Sequence, residues 1–517
     1  MKIACYADYD TKKDRAKGSI DMSKFITASM LYNFVQCPHR LSLDLFGNPE
    51  EKDPVSVFVK LLWEKGNAFE REVIGNLRLR FTDLSSFSTE EKKKATDEAM
   101  QRGDDLIYSG RIRAGNLLGE PDILRKQNSG YVAGDIKSGA GEEGTSDLEE
   151  GKPKKHYAVQ LALYTDILEK LKLSSGRTPF VWDIHGEEVD YDLDALQGKR
   201  DPTTLWSIYE DVLVKVTSIM DKKEQTLPAY SSTCKLCHWR TICIKAISSS
   251  KDLTLIPELG RAKRDVLLPF IKNLPELAAA DISSLIKGSK TVFSGIGPDT
   301  LAKFQARAQL QVKPGASPYC TGPISLPVCQ KEVFFDIETD PMRDLCYLHG
   351  FVERKSQDNN TETYHAFFAA APTSEEEEKA FADAWNYIRE ARPCTIYYYS
   401  KYERTIWRKL QQKYPHVATV EEIEDLFSPA QSVDLYFDTV KPKTEWPTRD
   451  YSIKTLASYL GFSWRDTDPS GASSIEWYHR WVETKDVAIR QRILEYNEDD
   501  CIATRVLLDG IRGFIQR

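Results

Sequence analysis

The sequence predicts an α/β protein of several domains, and three observations carry that reading. Acidic residues sit on or beside strand-like runs in two distant stretches, 119–139 and 332–337. Segments of helical period, 57–77, 155–170 and 486–508, accompany them. Polar or proline-rich breaks divide the chain, and its 517 residues suit roughly three domains of about 150 residues each.

With 41% hydrophobic and 29% charged residues, the composition is ordinary for a soluble globular protein. No run of about 18 apolar residues is present, so no membrane-spanning helix is expected. The opening MKIACYADYDTKKD lacks the apolar core of a secretory signal, so the expected location is cytoplasmic. The ten cysteines are then expected as reduced thiols or metal ligands rather than disulfides. A net charge of −8 does not exclude nucleic acid, because clustered acids that hold metal ions lower the total while local basic stretches grip phosphates.

Three breaks set the organisation. Residues 138–155 are rich in Gly, Glu and Lys and read as a mobile loop inside the first domain. Residues 246–252, AISSSKD, close a segment that ends in a cysteine cluster. Residues 312–330 carry Pro314, Pro318, Pro323 and Pro327 and read as an extended linker. The predicted domains are 1–248, 249–312, a linker at 313–330, and 331–517. No GxxxxGK[ST] phosphate loop occurs, so no ATP motor is encoded.

In GEPDILRKQNSGYVAGDIKSG, 119–139, Asn128-Ser129-Gly130 is a turn signal between two short apolar runs. With Asn128 and Ser129 as the loop, Asp122 and Asp135 face each other across a hairpin at about 5 Å. Like charges so placed destabilise a hairpin unless a cation sits between them. Lys137 shares a face with Asp135. Two acids and a lysine suit metal-assisted phosphodiester hydrolysis with Mg²⁺ or Mn²⁺, although the pattern alone also fits an exposed hairpin with solvated charges. The helix expected at 155–170 puts Gln160 and Tyr164 on one face, and the helix at 57–77 offers Glu70 as a third acid. This pattern resembles the RecB-like branch of the PD-(D/E)xK nucleases. The resemblance implies that Glu70, Asp122, Asp135 and Lys137 form the catalytic set, with the three acids as metal ligands. Gln160 and Tyr164 match the QxxxY element of that branch. Phe69 is a departure, since relatives often carry a metal-binding histidine in this motif.

Cys234, Cys237 and Cys243 form C-x2-C-x5-C. Three thiols so spaced signal a metal: zinc with His238 or His39 as fourth ligand, or an iron–sulfur cluster with a fourth thiolate. Cys37 is the obvious fourth thiol. One early and three late cysteines resemble the iron–sulfur-stapled RecB-like nucleases, including CRISPR-associated exonucleases and the nuclease half of AddB, over residues of about 20–245. That resemblance implies a [4Fe–4S] cluster on Cys37, Cys234, Cys237 and Cys243.

Between the heads, 253–273 and 292–310 each pair a Gly-bearing turn with a helical pattern. Backbone N–H groups at such turns suit phosphates, and Arg261, Lys263 and Arg264 add charge. The stretches resemble degenerate helix-hairpin-helix DNA-binding elements; a helical spacer is the other reading.

In KEVFFDIETDP the strand 332–337 brings Asp336 and Glu338 to the same face. A second strand is expected at 394–400, with Glu403 near the following helix. Near the C-terminus Tyr496 and Asp500 share a helix face at i, i+4. Two metal ions clamped by such acids perform in-line phosphodiester cleavage. Over 330–517 these residues resemble the tyrosine-bearing DEDD exonucleases, within the RNase H-like fold, and most closely the YprB-like domains fused to RecB-like nucleases. The resemblance implies Asp336, Glu338, Glu403 and Asp500 as metal ligands and Tyr496 as the residue that positions the water. Glu403 departs from the usual Asp, and Asp434 and Asp438 are alternatives. SIKTLASYLGF, 452–462, resembles the structural helix of that family.

The expected function is a two-headed, metal-dependent nuclease acting on DNA, single-stranded by resemblance, with a helicase as an implied partner. The alternatives are an RNA-processing 3′–5′ exonuclease that uses only the second head, and a nucleic-acid-binding scaffold whose acids are structural.

Overall fold

The structure, a computed structural model, describes residues 24–144, 151–198 and 202–515. It divides into two compact units, residues 1–228 with 232–243, and 229–231 with 244–517. The N-terminal stretch read against a secretory signal, Cys5, and residues 145–150 of the predicted loop lie outside the described residues. No helix among the described residues is long and apolar enough to cross a membrane.

The first unit is built on a mixed six-stranded sheet. Its strands are β1 (Thr82–Asp83), β2 (Leu106–Tyr108), β3 (Ile123–Gln127), β4 (Gly130–Ile136), β5 (Phe180–Trp182) and β6 (Glu188–Asp190), in the order β6-β5-β4-β3-β2-β1. β3 and β4 form the expected hairpin, with Ile123 opposite Gly134 and Gln127 opposite Gly130, so Asn128 and Ser129 are the two loop residues. Asn128 takes a left-handed φ of 53°, which Asn tolerates better than most residues. β4 is buried along its whole length, as befits a central strand with parallel β5 beside it.

Helix α1 (Ala28–Gln36) is capped by Thr27, and Cys37 links it to α2 (Pro38–Phe46). α3 (Val57–Asn76) is capped by Ser56, and α4 (Thr89–Arg102) begins with a Ser88–Glu91 capping box. α5 (Lys155–Lys170) matches the sequence expectation end to end and is buried from Tyr157 to Leu168. It packs with α1, β4 and α6 (Leu205–Met220) in one apolar core. α7 follows at Arg240–Ser250.

The second unit opens with a helical subregion: α8 (Gly260–Leu267), α9 (Leu274–Ala279) and α10 (Pro298–Val312). Leu253, Leu267, Leu277, Phe293 and Phe304 give it its own core. α10 starts as expected, with Gly297 before Pro298 at the first helical position. One charge expectation changes: Arg264 is 1% exposed and pairs with Asp252 and Asp265, so it faces the core rather than a phosphate. The proline-rich stretch is not wholly extended linker either. Tyr319–Cys320 pairs antiparallel with Thr444–Glu445.

A five-stranded sheet follows: β7 (Lys331–Asp340), β8 (Leu345–Lys355), β9 (Asp358–Phe368), β10 (Thr395–Tyr398) and β11 (Ser432–Asp434), ordered β9-β8-β7-β10-β11. β7, β8 and β9 form an antiparallel meander, while β10 and β11 add in parallel. Its helices are α11 (Ser374–Ala391), α12 (Tyr402–Lys413), α13 (Val420–Leu426), α14 (Ile453–Tyr459), α15 (Gly471–Thr484) and α16 (Val487–Ile515). Phe335, Phe351, Trp385 and Trp407 fill the core on one side of the sheet. Both units are mixed α/β, as the sequence predicts.

Candidate functional sites

The hairpin register fixes the first site. Continuing the Ile123–Gly134 pairing by one residue sets Asp122 against Asp135. The Ile136 N–H donates to Asp122 Oδ2 at 2.8 Å, and the Asp122 N–H donates to Asp135 Oδ1 at 3.4 Å. Each acid is thus steadied by the opposing backbone. Lys137 Nζ lies 2.6 Å from Asp135 Oδ2, and both side chains are buried. A buried ion pair at this distance fixes both groups, because removing either leaves an uncompensated charge.

α5, packed in the core, brings Tyr164 beside this site. Gln160 is 5% exposed, and its buried Oε1 has no hydrogen-bond partner among the described residues. Tyr164 lies over Gly119, where a Cβ would come within 2.6 Å of the Tyr164 ring, and its hydroxyl donates to the Glu120 carbonyl at 3.4 Å. Burial, then the charges of Asp135 and Asp122, push the Tyr164 phenol well up, so it stays protonated. Glu70 is held by α3, with the Tyr108 hydroxyl donating to its Oε1 at 3.0 Å. Sequence reading missed Tyr108, whose role depends on a contact 38 residues away. It also missed His156, on the same α5 face as Gln160 and Tyr164. Burial, with Lys154 and Lys137 nearby, lowers the His156 imidazole to about 4, so it is neutral at physiological pH.

The cysteines come from both ends of the first unit. Cys37 sits between α1 and α2, Cys234 in a short 3-10 turn at Ser232–Leu236, Cys237 just beyond it, and Cys243 in α7. Burial pushes the Cys237 thiol up to about 11, and the neighbouring Cys37 and Cys234 add to the rise. The two ends are also tied by protein contacts. His238 Nε2 and Trp239 Nε1 meet Asp44 Oδ1 at 2.7 and 2.9 Å, and the Thr241 N–H donates to Asp53. His39 directs Nδ1 to Thr226 at 2.9 Å. Both candidate zinc histidines therefore commit one ring nitrogen elsewhere.

In the second unit Asp336 and Glu338, on β7, and Asp500, on α16, bring ligand oxygens within 4.8 Å of one another. β7 and β8 shift register just after Glu338, a bulge of the kind found next to active sites. Burial raises the Asp336 and Glu338 carboxyls, Glu338 to about 8, and Asp500 adds repulsion to both. Such crowding is costly unless a cation enters, which suits Mg²⁺ or Mn²⁺ with oxygen ligands. Glu403, in the first turn of α12, stands outside that trio. It is 4% exposed, its Oε2 has no hydrogen-bond partner among the described residues, and burial raises its carboxyl strongly with Asp434 and Asp500 nearby. The alternative Asp434 is already engaged: its Oδ1 accepts from the N–H groups of Ser400, Tyr436 and Phe437. Asp438 in turn accepts from the Asp434 N–H.

Tyr496, one turn before Asp500, is buried, and burial with the three carboxylates keeps its phenol protonated. Four further residues complete the centre, none of them singled out by the sequence. Asn497 Nδ2 donates to Asp336 at 2.8 Å. Ser474 hydrogen-bonds Glu338, Trp464 Nε1 donates to Asp500 at 2.7 Å, and Lys454 Nζ reaches Asp500 at 2.9 Å and the Tyr496 hydroxyl at 3.0 Å.

No curated protein matches the chain. Residues 31–244 match the family model of the PD-(D/E)XK nuclease superfamily, and residues 333–511 match that of the RNase_H superfamily. Each match spans one of the two acid-bearing sites, so the chain is similar to the PD-(D/E)XK nuclease superfamily around the first site and to the RNase_H superfamily around the second.

Proposed function

We propose that the protein is a metal-dependent nuclease with two catalytic heads that hydrolyse phosphodiester bonds of DNA, single-stranded DNA degraded from its ends. The observation that carries this reading is the trio Asp336, Glu338 and Asp500, with ligand oxygens inside 4.8 Å in a region similar to the RNase_H superfamily. In the second head these three acids and Glu403 would hold divalent ions, and Tyr496, a protonated phenol beside Asp500, would orient the attacking water. In the first head Glu70, Asp122 and Asp135 would hold the ion, Lys137 would steady the phosphate, and Gln160 and Tyr164 would shape the pocket above them. Bound Mg²⁺ or Mn²⁺ supplies an activated water and neutralises charge on the phosphate.

Cys37, Cys234, Cys237 and Cys243 would hold a [4Fe–4S] cluster that staples the ends of the first unit. Four thiols suit an iron–sulfur cluster, which prefers a fourth thiolate where a zinc site can take a histidine, and the Cys237 thiol feels the neighbouring Cys37 and Cys234. The helical subregion at 249–312 would grip nucleic-acid backbone through Arg261 and the turn at Gly297. A helicase partner and a cytoplasmic location belong to the same proposal.

A second reading is an RNA-trimming 3′–5′ exonuclease working through the second head alone. It is favoured by Asp336, Glu338 and Asp500 of the second head, the one group of three or more such ligands found within 4.8 Å among the described residues. The deciding experiment uses anaerobically purified full-length protein, end-labelled single-stranded DNA and RNA, and Mg²⁺ or Mn²⁺. Distinct product sets lost in Asp135→Ala and in Asp500→Ala would establish two heads. Loss in Asp500→Ala alone, with RNA preferred, would establish the second reading. No cleavage by wild type under any condition would sink both.

A further inference from the structure

Lys454 of α14 has no place in the acid-plus-tyrosine scheme, yet it reaches into the centre. Its Nζ lies 2.9 and 3.3 Å from the two oxygens of Asp500 and 3.0 Å from the Tyr496 hydroxyl. It also stands over the rings of Trp464 and Tyr496, at 4.7 and 4.5 Å from their centroids. Its charge is felt at Asp336 and Glu338 as well. The side chain is one-third exposed at 32%, while Asp500 is at 11%. The Lys454 side chain is thus more open to solvent than the carboxylate it meets. Both oxygens of one proposed metal ligand already face a cation, and that cation belongs to the protein.

We propose that Lys454 is a built-in counter-cation that competes with a divalent ion for Asp500, and that in yielding the carboxylate it becomes available to the phosphodiester. The inference rests on the metal-centre reading of Asp336, Glu338 and Asp500. An ammonium carries three donors on a flexible four-carbon stem, so it can stay bonded to the Tyr496 oxygen while turning from Asp500 to a phosphate. Because an ammonium only donates, the Tyr496 oxygen is the acceptor in that bond, and its own proton remains for another acceptor. Divalent-ion binding and phosphate binding are then linked: each removes the competitor that the other must displace, and the coupling is reciprocal.

The test is Mn²⁺ binding to the full-length protein, followed by electron paramagnetic resonance of free Mn²⁺, without nucleic acid. Asp336→Asn identifies the sites that belong to this centre. Lys454→Met, which keeps the stem and removes the charge, is expected to bind Mn²⁺ at the Asp336-dependent site roughly tenfold more tightly than wild type, the scale of one close charge interaction. Lys454→Arg, which keeps the charge, is expected to stay near wild type and guards against a folding defect in the Met variant. Equal or weaker binding in Lys454→Met, with an Asp336-dependent site present in wild type, would overturn the competitor role and leave the metal centre standing. Absence of any Asp336-dependent Mn²⁺ site in all three chains would overturn the metal-centre reading and this inference with it.

Discussion

Asn497 reaches Asp336 through a gap that only glycine can leave. Gly350 on β8 is the register partner of Asp336 on β7, and a Cβ at position 350 would collide with Asn497 Oδ1. That oxygen accepts from the Tyr364 hydroxyl at 2.8 Å, so the amide is oriented with Nδ2 toward Asp336. Partners of this kind hold a ligand's orientation, and losing one typically costs about 10- to 100-fold in activity or metal affinity. Asn497→Ala and Gly350→Ala are both expected to reduce the Asp500-dependent cleavage by that factor while leaving Asp135-dependent products unchanged. Assay of end-labelled strands checks this, and an undiminished rate in Gly350→Ala would refute the role of the gap.

Gly119 does the same for Tyr164 in the first head. Gly119→Ala forces the Tyr164 ring away, since the new Cβ would lie 2.6 Å from Cδ1. Displacement of about 1 Å beside reacting groups costs up to roughly 100-fold. The Asp135-dependent products are expected to fall accordingly and the Asp500-dependent ones to persist. Equal loss of both sets would point to general unfolding instead.

His349 makes the second unit acid-sensitive. It is fully buried, accepts from Trp407 Nε1 at 3.1 Å through Nδ1, and burial lowers its pKa to about 3. The unfolded chain takes up this proton near 6.5, so between about pH 6.5 and 3 the unfolded state binds more protons and folding stability falls as the pH is lowered. The loss amounts to at most about 1.4 kcal/mol per pH unit for this one group. His349→Gln keeps an acceptor for Trp407 without titrating, and its urea-denaturation midpoint is expected to vary less than that of wild type between pH 4 and 6. Parallel pH profiles would rule this out.

Arg307 ties the helical subregion to β-structure within the second unit. It is fully buried and donates to Glu445 at 2.7 Å, to the Pro257 carbonyl at 2.7 Å and to Glu258 at 3.1 Å. Arg307→Met leaves the buried Glu445 with only the longer Lys303 contact at 3.9 Å as a cation and is expected to cost about 3 kcal/mol of unfolding free energy. Arg307→Met combined with Glu445→Gln is expected to cost less than the single change, as chemical denaturation would reveal.

How much of this was legible beforehand depends on sequence distance. The Asp122–Asp135 pairing followed from one turn signal, and the α5 bounds from helical period, because both are set by neighbours in the chain. Tyr496 and Asp500 were legible for the same reason. Asn497, Lys454, Ser474 and Trp464 were not: Asn497 meets Asp336 across 161 residues and Lys454 meets Asp500 across 46, and no local period encodes such meetings. Tyr319–Cys320 hid its strand among prolines because its partner, Thr444–Glu445, lies far along the chain. Arg264 looked like a surface charge since nothing near it in sequence foretells burial beside Asp252.

The loop Asn128–Ser129 has a consequence out of proportion to its size. It lies six residues from Asp135, about 20 Å along an extended strand. Surface loops usually tolerate insertions, yet this one serves as the ruler for the first head. One added residue would slip the pairing by one step and turn alternate side chains to the opposite face. Asp122 would no longer meet Asp135, and the change would act without touching either acid. Natural variation should therefore spare the length of this turn even where it alters its letters.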